Sequence, residues 1–182
     1  MTNTGRIEIP LSKSKLIKNL LGSIVFVVAG LWLLIFQPSV SNSVFNSPLV
    51  KYGGGILAVL FGALGIIYFS KKLTDKKPGL IIDEKGVVDN ASAVAAGFIP
   101  WSDIDHIETA KVMKQEFLML IVKNPGDYLS KQKNMLKRKS MEMNLKHYGS
   151  PITISTHGLK YDMDQLKIIM DNSLALFRKR PE

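Results

Sequence analysis

The chain has 182 residues, a formal net charge of +9 and no cysteine. The missing cysteines exclude disulfides and thiolate metal sites. A basic balance suits an anionic membrane surface, nucleic acid or simple solubility. Once two apolar stretches and their basic lead are set aside, about 105–110 residues remain, enough for one small domain with its own core.

Residues 1–19 carry Arg6, Lys13, Lys15 and Lys18 against a single acid, Glu8. They read as a basic cytoplasmic lead with little structure beyond a short strand or amphipathic turn near residues 7–11. Two uncharged runs follow, LLGSIVFVVAGLWLLIF (20–36) and YGGGILAVLFGALGIIYFS (52–70). A bilayer core of roughly 30 Å needs about 20 apolar residues in a helix, so residues 20–70 are predicted to form a two-helix transmembrane hairpin. A basic group before an apolar run is also the shape of a signal peptide. No small-x-small cleavage site follows Phe36, however, and a second full-length run comes soon after, so the hairpin is read as retained.

Residues 37–50 carry no charge, Lys51 is the lone cation between the runs, and Lys71, Lys72, Lys76 and Lys77 follow the second. The positive-inside rule then places both termini in the cytoplasm and the loop on the far side of the membrane. Trp32, Phe36, Tyr52 and Tyr68 sit near the span ends, as interfacial aromatics do. Gly54, Ala58 and Gly62 recur every four residues on one helix face, where small side chains let another helix approach. That face is either the seam of a homodimer or the packing surface for Gly22, Ala29 and Gly30 of the first span. The second reading is favoured because a hairpin partner is always present.

Residues 78–182 have the composition of a folded domain. GLIID (79–83) is a strand, Glu84-Lys85-Gly86 a turn with glycine at positive φ, and residues 87–89 a returning strand. A small-residue loop (90–96) leads to GFIPW (97–101), an edge strand or one ending at Pro100, because proline cannot donate to a ladder. Residues 102–103 turn, 104–113 are extended, and Lys114-Gln115 is a tight turn. EFLMLIVK (116–123) is apolar on both faces, the pattern of a central, covered strand. After a turn and cap at 124–127, residues 127–144 read as one basic helix. Leu129, Leu136 and Met143 form a narrow apolar stripe on it, and Lys131, Lys133, Lys137, Arg138 and Lys139 occupy much of the rest. Residues 147–150 break the helix, and PITIST (151–156) alternates as a half-buried strand. Asp162 and Gln165 have capping-box spacing, with Tyr161 and Leu166 placed as a staple. Leu166, Ile169, Met170, Ser173, Leu174 and Phe177 then share one face of a closing helix, and Arg178, Lys179 and Arg180 suit its C-terminal dipole. The predicted fold class is a membrane α-helical hairpin plus an α+β soluble domain. Its six or seven short strands would form a partly closed β-barrel plugged by the C-terminal helix.

GLIID (79–83), GFIPWSDI (97–104) and VKNP (122–125) with Tyr128, behind a two-span hairpin, resemble a family of small bacterial inner-membrane proteins. Those proteins carry a cytoplasmic pleckstrin-homology-like domain and have no assigned activity. The resemblance covers almost the whole chain through short motifs. It implies a pleckstrin-homology-like barrel of two sheets capped by the C-terminal helix. It does not imply phosphoinositide binding.

Trp101 and Asp103 are the first candidates for a site. The structural reading has Asp103 bonding turn amides and Trp101 covering the barrel edge; the functional one is a ligand groove beside Trp101. Turn chemistry explains both residues, so the structural reading is favoured. In the run DIDHIE (103–108), strand alternation puts Asp103 and Asp105 on one face and His106 and Glu108 on the other, which splits a ligand set. His147 and His157 lie far off in sequence, and HExxH, Walker, GxGxxG and GxSxG patterns are absent. No catalytic, metal or cofactor site is therefore predicted.

Residues 131–146 are either a surface for anionic headgroups or an anionic partner, or a solvated helix face; the two readings are held equal. The expected function is a non-enzymatic, membrane-anchored interaction module. Its candidate surface comprises Ile99, Trp101, Asp103, Lys131, Lys133, Lys137, Arg138 and Lys139, with strand addition at residues 98–101 as one mode. The expected partners are the lipid bilayer and a protein, not nucleic acid. The alternatives are a membrane-associated enzyme, which needs a convergent polar pocket, and an accessory subunit of a larger envelope complex. A transporter would need intramembrane polar groups that these runs scarcely carry.

Overall fold

The computed structural model describes residues 5–39, 41–92, 94, 96–112 and 115–179, with Val112 described in its backbone only. The start of the basic lead, parts of the 90–96 loop, Lys114 of the predicted turn and Arg180 lie outside the described residues. The chain divides into two units, Lys13–Lys76 and a second built from Met1–Ser12 with Lys77–Glu182.

The first unit is a helical hairpin. Helix α1 is Lys13–Phe36, a short helix α2 is Ser43–Asn46, and helix α3 is Pro48–Thr74. At 24 and 27 residues, α1 and α3 are roughly 36 and 40 Å long. Both are long and apolar enough to cross a membrane. Only 6% and 11% of their apolar windows are buried, so neither is the core helix of a soluble protein. Val25, Phe26, Ile35, Phe61 and Leu64 all point outward. Pro48 starts α3, where its missing N–H costs nothing. Lys51 is buried at the hairpin's turn, donating to the Asn46 side chain at 2.6 Å and to the Gln37 carbonyl at 3.2 Å. A cation there suits the C-terminal end of α1.

The two long helices touch through small residues. A Cβ on Gly30 would lie 2.8 Å from the Gly55 carbonyl oxygen and 2.9 Å from Val59, and one on Gly62 would lie 2.6 Å from Val27 and 2.8 Å from the Ser23 carbonyl oxygen. Gly62 and Ala58 thus pack inside the hairpin. Gly54 meets only Leu33, at 3.8 Å, and its neighbour Gly55 takes the tight position instead.

The second unit is an antiparallel α+β domain of two sheets. Strands β1 (Ile7–Ile9), β2 (Leu80–Ile82), β3 (Gly86–Asp89) and β4 (Gly97–Pro100) form a four-stranded meander in that order. Strands β5 (Ile104–Val112), β6 (Gln115–Val122) and β7 (Ile152–Ser155) form a three-stranded sheet with β6 central. The sheets do not join into a closed barrel among the described residues. Residues 7–9 of the lead are therefore sheet, pairing Ile9 with Leu80 and Ile7 with Ile82.

The β2–β3 turn is tied by Asp83, whose carboxylate accepts from the amides of Lys85 and Gly86 at 2.8 and 3.0 Å. Gly86 is required for a reason other than the expected positive φ. A Cβ there would run into the Ile99 carbonyl and lie 2.8 Å from Pro100 Cα, so the glycine lets β4 lie close against β3.

The predicted single basic helix is two. Helix α4 is Pro125–Lys131 and helix α5 is Met135–Tyr148. The break is local chemistry: Asn134 caps α5 by accepting from the Lys137 amide at 3.1 Å, and Gln132 accepts from the Asn134 amide at 3.2 Å. Gly149 ends α5 in the left-handed region at φ 76°, returning its amide to Leu145. Helix α6 (Met163–Arg178) carries the complete predicted capping box.

One core holds the domain, running from Ile9, Leu80, Ile82, Val87 and Ile99 through Leu118, Leu120, Ile152 and Ile154 to Leu166, Met170 and Leu174 of α6. Each fully buried aliphatic side chain contributes about 1.5–3 kcal/mol.

Candidate functional site

Four places carry the residues that the sequence singles out. The first is the corner where β4 passes through a 3-10 turn, Trp101–Asp103, into β5. Trp101 is 2% exposed. Its indole N–H donates to the Asp83 carbonyl at 2.8 Å and its amide to the Lys85 carbonyl at 3.0 Å, so it fastens the β2–β3 turn to the corner. Asp103 does not bond turn amides with its carboxylate. The Ser102 hydroxyl donates to it at 3.2 Å and the Tyr128 hydroxyl at 2.8 Å, while the Asp103 carbonyl receives the Lys123 amide at 2.9 Å. Strand exit, β6 end and α4 are thereby braced together. Burial, and then the hydrogen bond to Asp103, raises the Tyr128 phenol above its ordinary range.

The second place is the acid–histidine run. The sequence pattern put Asp105 and His106 on opposite faces; the structure brings them together. A register shift lies between Ile104 and His106, and such a bulge breaks the two-residue alternation. His106 Nδ1 meets Asp105 at 2.8 Å and Nε2 meets Glu108 at 3.1 Å. Two carboxylate acceptors are satisfied together only when both ring nitrogens carry protons. The hydrogen bond to Asp105 accordingly raises the His106 pKa from its ordinary 6.5; desolvation opposes it by less, and the hydrogen bond to Glu108 adds to the rise. Asp103 bonds Tyr128 while His106 bonds Asp105 and Glu108, so the two are engaged with different partners. The bulged Asp105 carbonyl accepts from the Arg178 guanidinium, a specific role for a residue otherwise read only through the helix dipole.

Third is the outer edge of β4. No further strand is hydrogen-bonded beyond it among the described residues. Ile99 is fully buried, so its side chain belongs to the core and not to a docking surface. Phe98, one residue earlier and on the opposite face, is 50% exposed.

Helix α5 is the fourth. Its inward face is Met141 with half-buried Asn144, Leu145 and Tyr148. Leu136 and Met143, expected with Leu129 on one stripe, are 78% and 56% exposed. The break at residues 132–134 shifts the helical phase between Leu129 and Leu136. Lys131, Lys133, Arg138 and Lys139 are exposed and Lys137 is half-buried.

Comparison with known proteins finds no match: no protein-family model, no curated protein and no solved structure is similar to this chain. Two clefts lie near these places. One of about 140 Å³ opens between the three-stranded sheet and α5, lined by Ala110, Phe117, Met119, Asn144, Tyr148 and Thr153. The other, about 80 Å³, lies beside Trp101, between the β2–β3 turn and the end of α6. That is the place of the ligand groove that the sequence offered as the less favoured reading of Trp101. Small-molecule sites usually enclose roughly 300–1,000 Å³, so both suit an inserted side chain better than a substrate. Among the described residues no group of three or more His, Asp or Glu side chains is placed to hold a metal ion; the two ring nitrogens of His106 are taken by separate carboxylates.

Proposed function

We propose that this chain is a non-enzymatic, membrane-anchored interaction module. Its hairpin crosses the inner membrane with both termini in the cytoplasm, and its soluble unit acts as a pleckstrin-homology-like domain that takes a partner strand along β4. Two antiparallel sheets of four and three strands, followed by a helix whose apolar face lies on the core, support the pleckstrin-homology-like reading. Two uncharged runs, 20–36 and 52–70, with Lys13, Lys15, Lys18, Lys71, Lys72, Lys76 and Lys77 on the outer ends of the hairpin and Lys51 alone between the runs, support the topology.

The observation that carries the interaction reading is the exposed edge of β4 with Phe98 beside it. An open edge offers unpaired main-chain groups to an extended segment, and a half-exposed aromatic is the residue type that anchors such contacts. The test is a photo-reactive amino acid at position 98 in intact cells, with the same group at exposed Asn172 of α6 as control. A discrete protein adduct at 98 and none at 172 is the expected result. Equal labelling at the two positions, or none at 98, refutes the β4 edge as the docking site. The absence of cysteine makes the topology equally direct to test. Ser41→Cys should react with an impermeant maleimide in intact spheroplasts, and Asn172→Cys only after lysis.

A further inference from the structure

We propose that the outward face of α5 docks on the anionic surface of the membrane that holds the hairpin. Met135, Leu136 and Met143 would enter the headgroup layer, and Lys133, Lys139 and Lys146 would meet lipid phosphates. The inference rests on the hairpin being membrane-inserted but uses a different face from the β4 edge.

Three observations carry it. Met135, Leu136 and Met143 are 82%, 78% and 56% exposed, although methionine and leucine are residues that folding normally hides. They lie on one side of the helix, at positions i, i+1 and i+8, with Lys139 and Lys146 between and beside them on the same side. Charge points the same way. From Lys131 to Lys146 there are six cations and one acid, and that acid, Glu142, is held by Arg138 at 3.0 Å. Exposed apolar side chains interleaved with lysines are what an interfacial helix presents to anionic lipid. The lysine stems lie along the acyl boundary while their ammonium groups reach the phosphates.

A protein partner fits less well, because the cores of protein interfaces are depleted in lysine and rich in Tyr, Trp and Phe, and the side formed by Met135, Leu136, Lys139, Met143 and Lys146 carries none of those three. The chain's own connectivity adds a further reason. Three residues, 10–12, separate β1 from α1, and five, 75–79, separate α3 from β2. Two such short tethers make docking an intramolecular event at high effective concentration.

The experiment uses the full chain with Met143→Cys, labelled with an environment-sensitive dye. It is reconstituted in lipid nanodiscs of phosphatidylcholine alone or of an equal mixture with phosphatidylglycerol. Co-elution with the disc reports hairpin insertion independently of the dye. The expected result is blue-shifted emission in the mixed discs only, with a label at Asn172→Cys remaining aqueous in both. Replacing Lys133, Lys139 and Lys146 together by Gln should lower the docked-to-undocked ratio on the order of a hundredfold. Met135→Ser with Leu136→Ser, both at highly exposed positions, should reduce it without unfolding the domain. Aqueous emission at 143 in both discs, with the protein still co-eluting, overturns the docking while leaving the anchor intact. A shift that needs added cytosolic protein assigns the face to a protein and overturns it too. Failure to co-elute removes the anchor on which it rests.

Discussion

The packing of α1 on α3 makes a quantitative prediction with its own controls. Gly62→Ala would place a methyl 2.6 Å from Val27 Cγ2 and 2.8 Å from the Ser23 carbonyl oxygen, and Gly30→Ala would place one 2.8 Å from the Gly55 carbonyl oxygen. Backbone atoms cannot rotate away, so the helices must separate. Inserting a methyl into so close a fit costs about 1–3 kcal/mol. Alanine returns part of this through helix propensity, at most about 1 kcal/mol, which leaves a net loss of up to about 2 kcal/mol. At Gly22 and Gly53 an added Cβ meets nothing within 4 Å; there only the propensity gain remains, and alanine should be neutral or slightly stabilising. The chain has no cysteine, so a dye pair at exposed Leu21 and Leu64 can report helix separation by energy transfer as SDS is titrated into mild detergent. The transition should move to lower SDS for Gly30→Ala and Gly62→Ala and stay or rise for Gly22→Ala and Gly53→Ala. Equal effects at all four positions would refute tight intramolecular packing. So would loss of a dimer in Gly62→Ala with no change in the dye pair, which would transfer that face to a seam between copies.

Two further predictions concern the soluble unit. The His106 imidazole, followed by NMR in the full chain, should titrate above 6.5, and Asp105→Asn should lower its midpoint more than Glu108→Gln, since the Asp105 hydrogen bond is the largest cause of the shift. Because the folded pKa is raised, the stabilisation is complete below 6.5 and fades as pH rises through the folded value; a midpoint at or below 6.5 refutes the pairing. Tyr128→Phe removes the hydroxyl that holds Asp103 at 2.8 Å. With Asp103 half-exposed to water, the loss should be about 1 kcal/mol, read from urea unfolding followed by Trp101 fluorescence, and smaller when Asp103→Ala is already present. Full additivity of the two changes would refute a direct bond.

Features set by neighbours in the chain were legible in the sequence. The capping box of Asp162 and Gln165, the apolar face of α6, the central strand β6 and the ending of β4 at Pro100 all follow from spacing within a few residues. What could not be read depends on atoms distant in the chain. Gly54 and Gly55 are equivalent by composition, and only the position of α1 decides which is tight. Gly86 looks like a turn glycine until Ile99 is laid beside it. The helix from 127 to 144 satisfies a composition argument, yet the Asn134 cap outcompetes continuation through Gln132 and Lys133. Strand alternation separates Asp105 from His106, and one bulge reunites them. The α+β class was therefore readable, and the structure has two antiparallel sheets with no closed barrel among the described residues.

Two of the residues that look functional in the sequence, Trp101 and Asp103, act as fasteners. Trp101, Asp103 and Tyr128 stand out as aromatic and acidic groups near a turn, and the structure spends them on holding three elements together. Ile99, offered to a partner by its place in an edge strand, is spent on the core. The surfaces left over are formed by ordinary apolar residues in the wrong environment: Phe98 on a sheet edge, and Met135, Leu136 and Met143 on the outside of a basic helix. A folding chain gains by burying each of them, yet among the described residues each stays at least half exposed. That mismatch between residue type and exposure is a stronger pointer to interaction than charge or aromaticity alone, and it arises only once the helix phase and the sheet order are known.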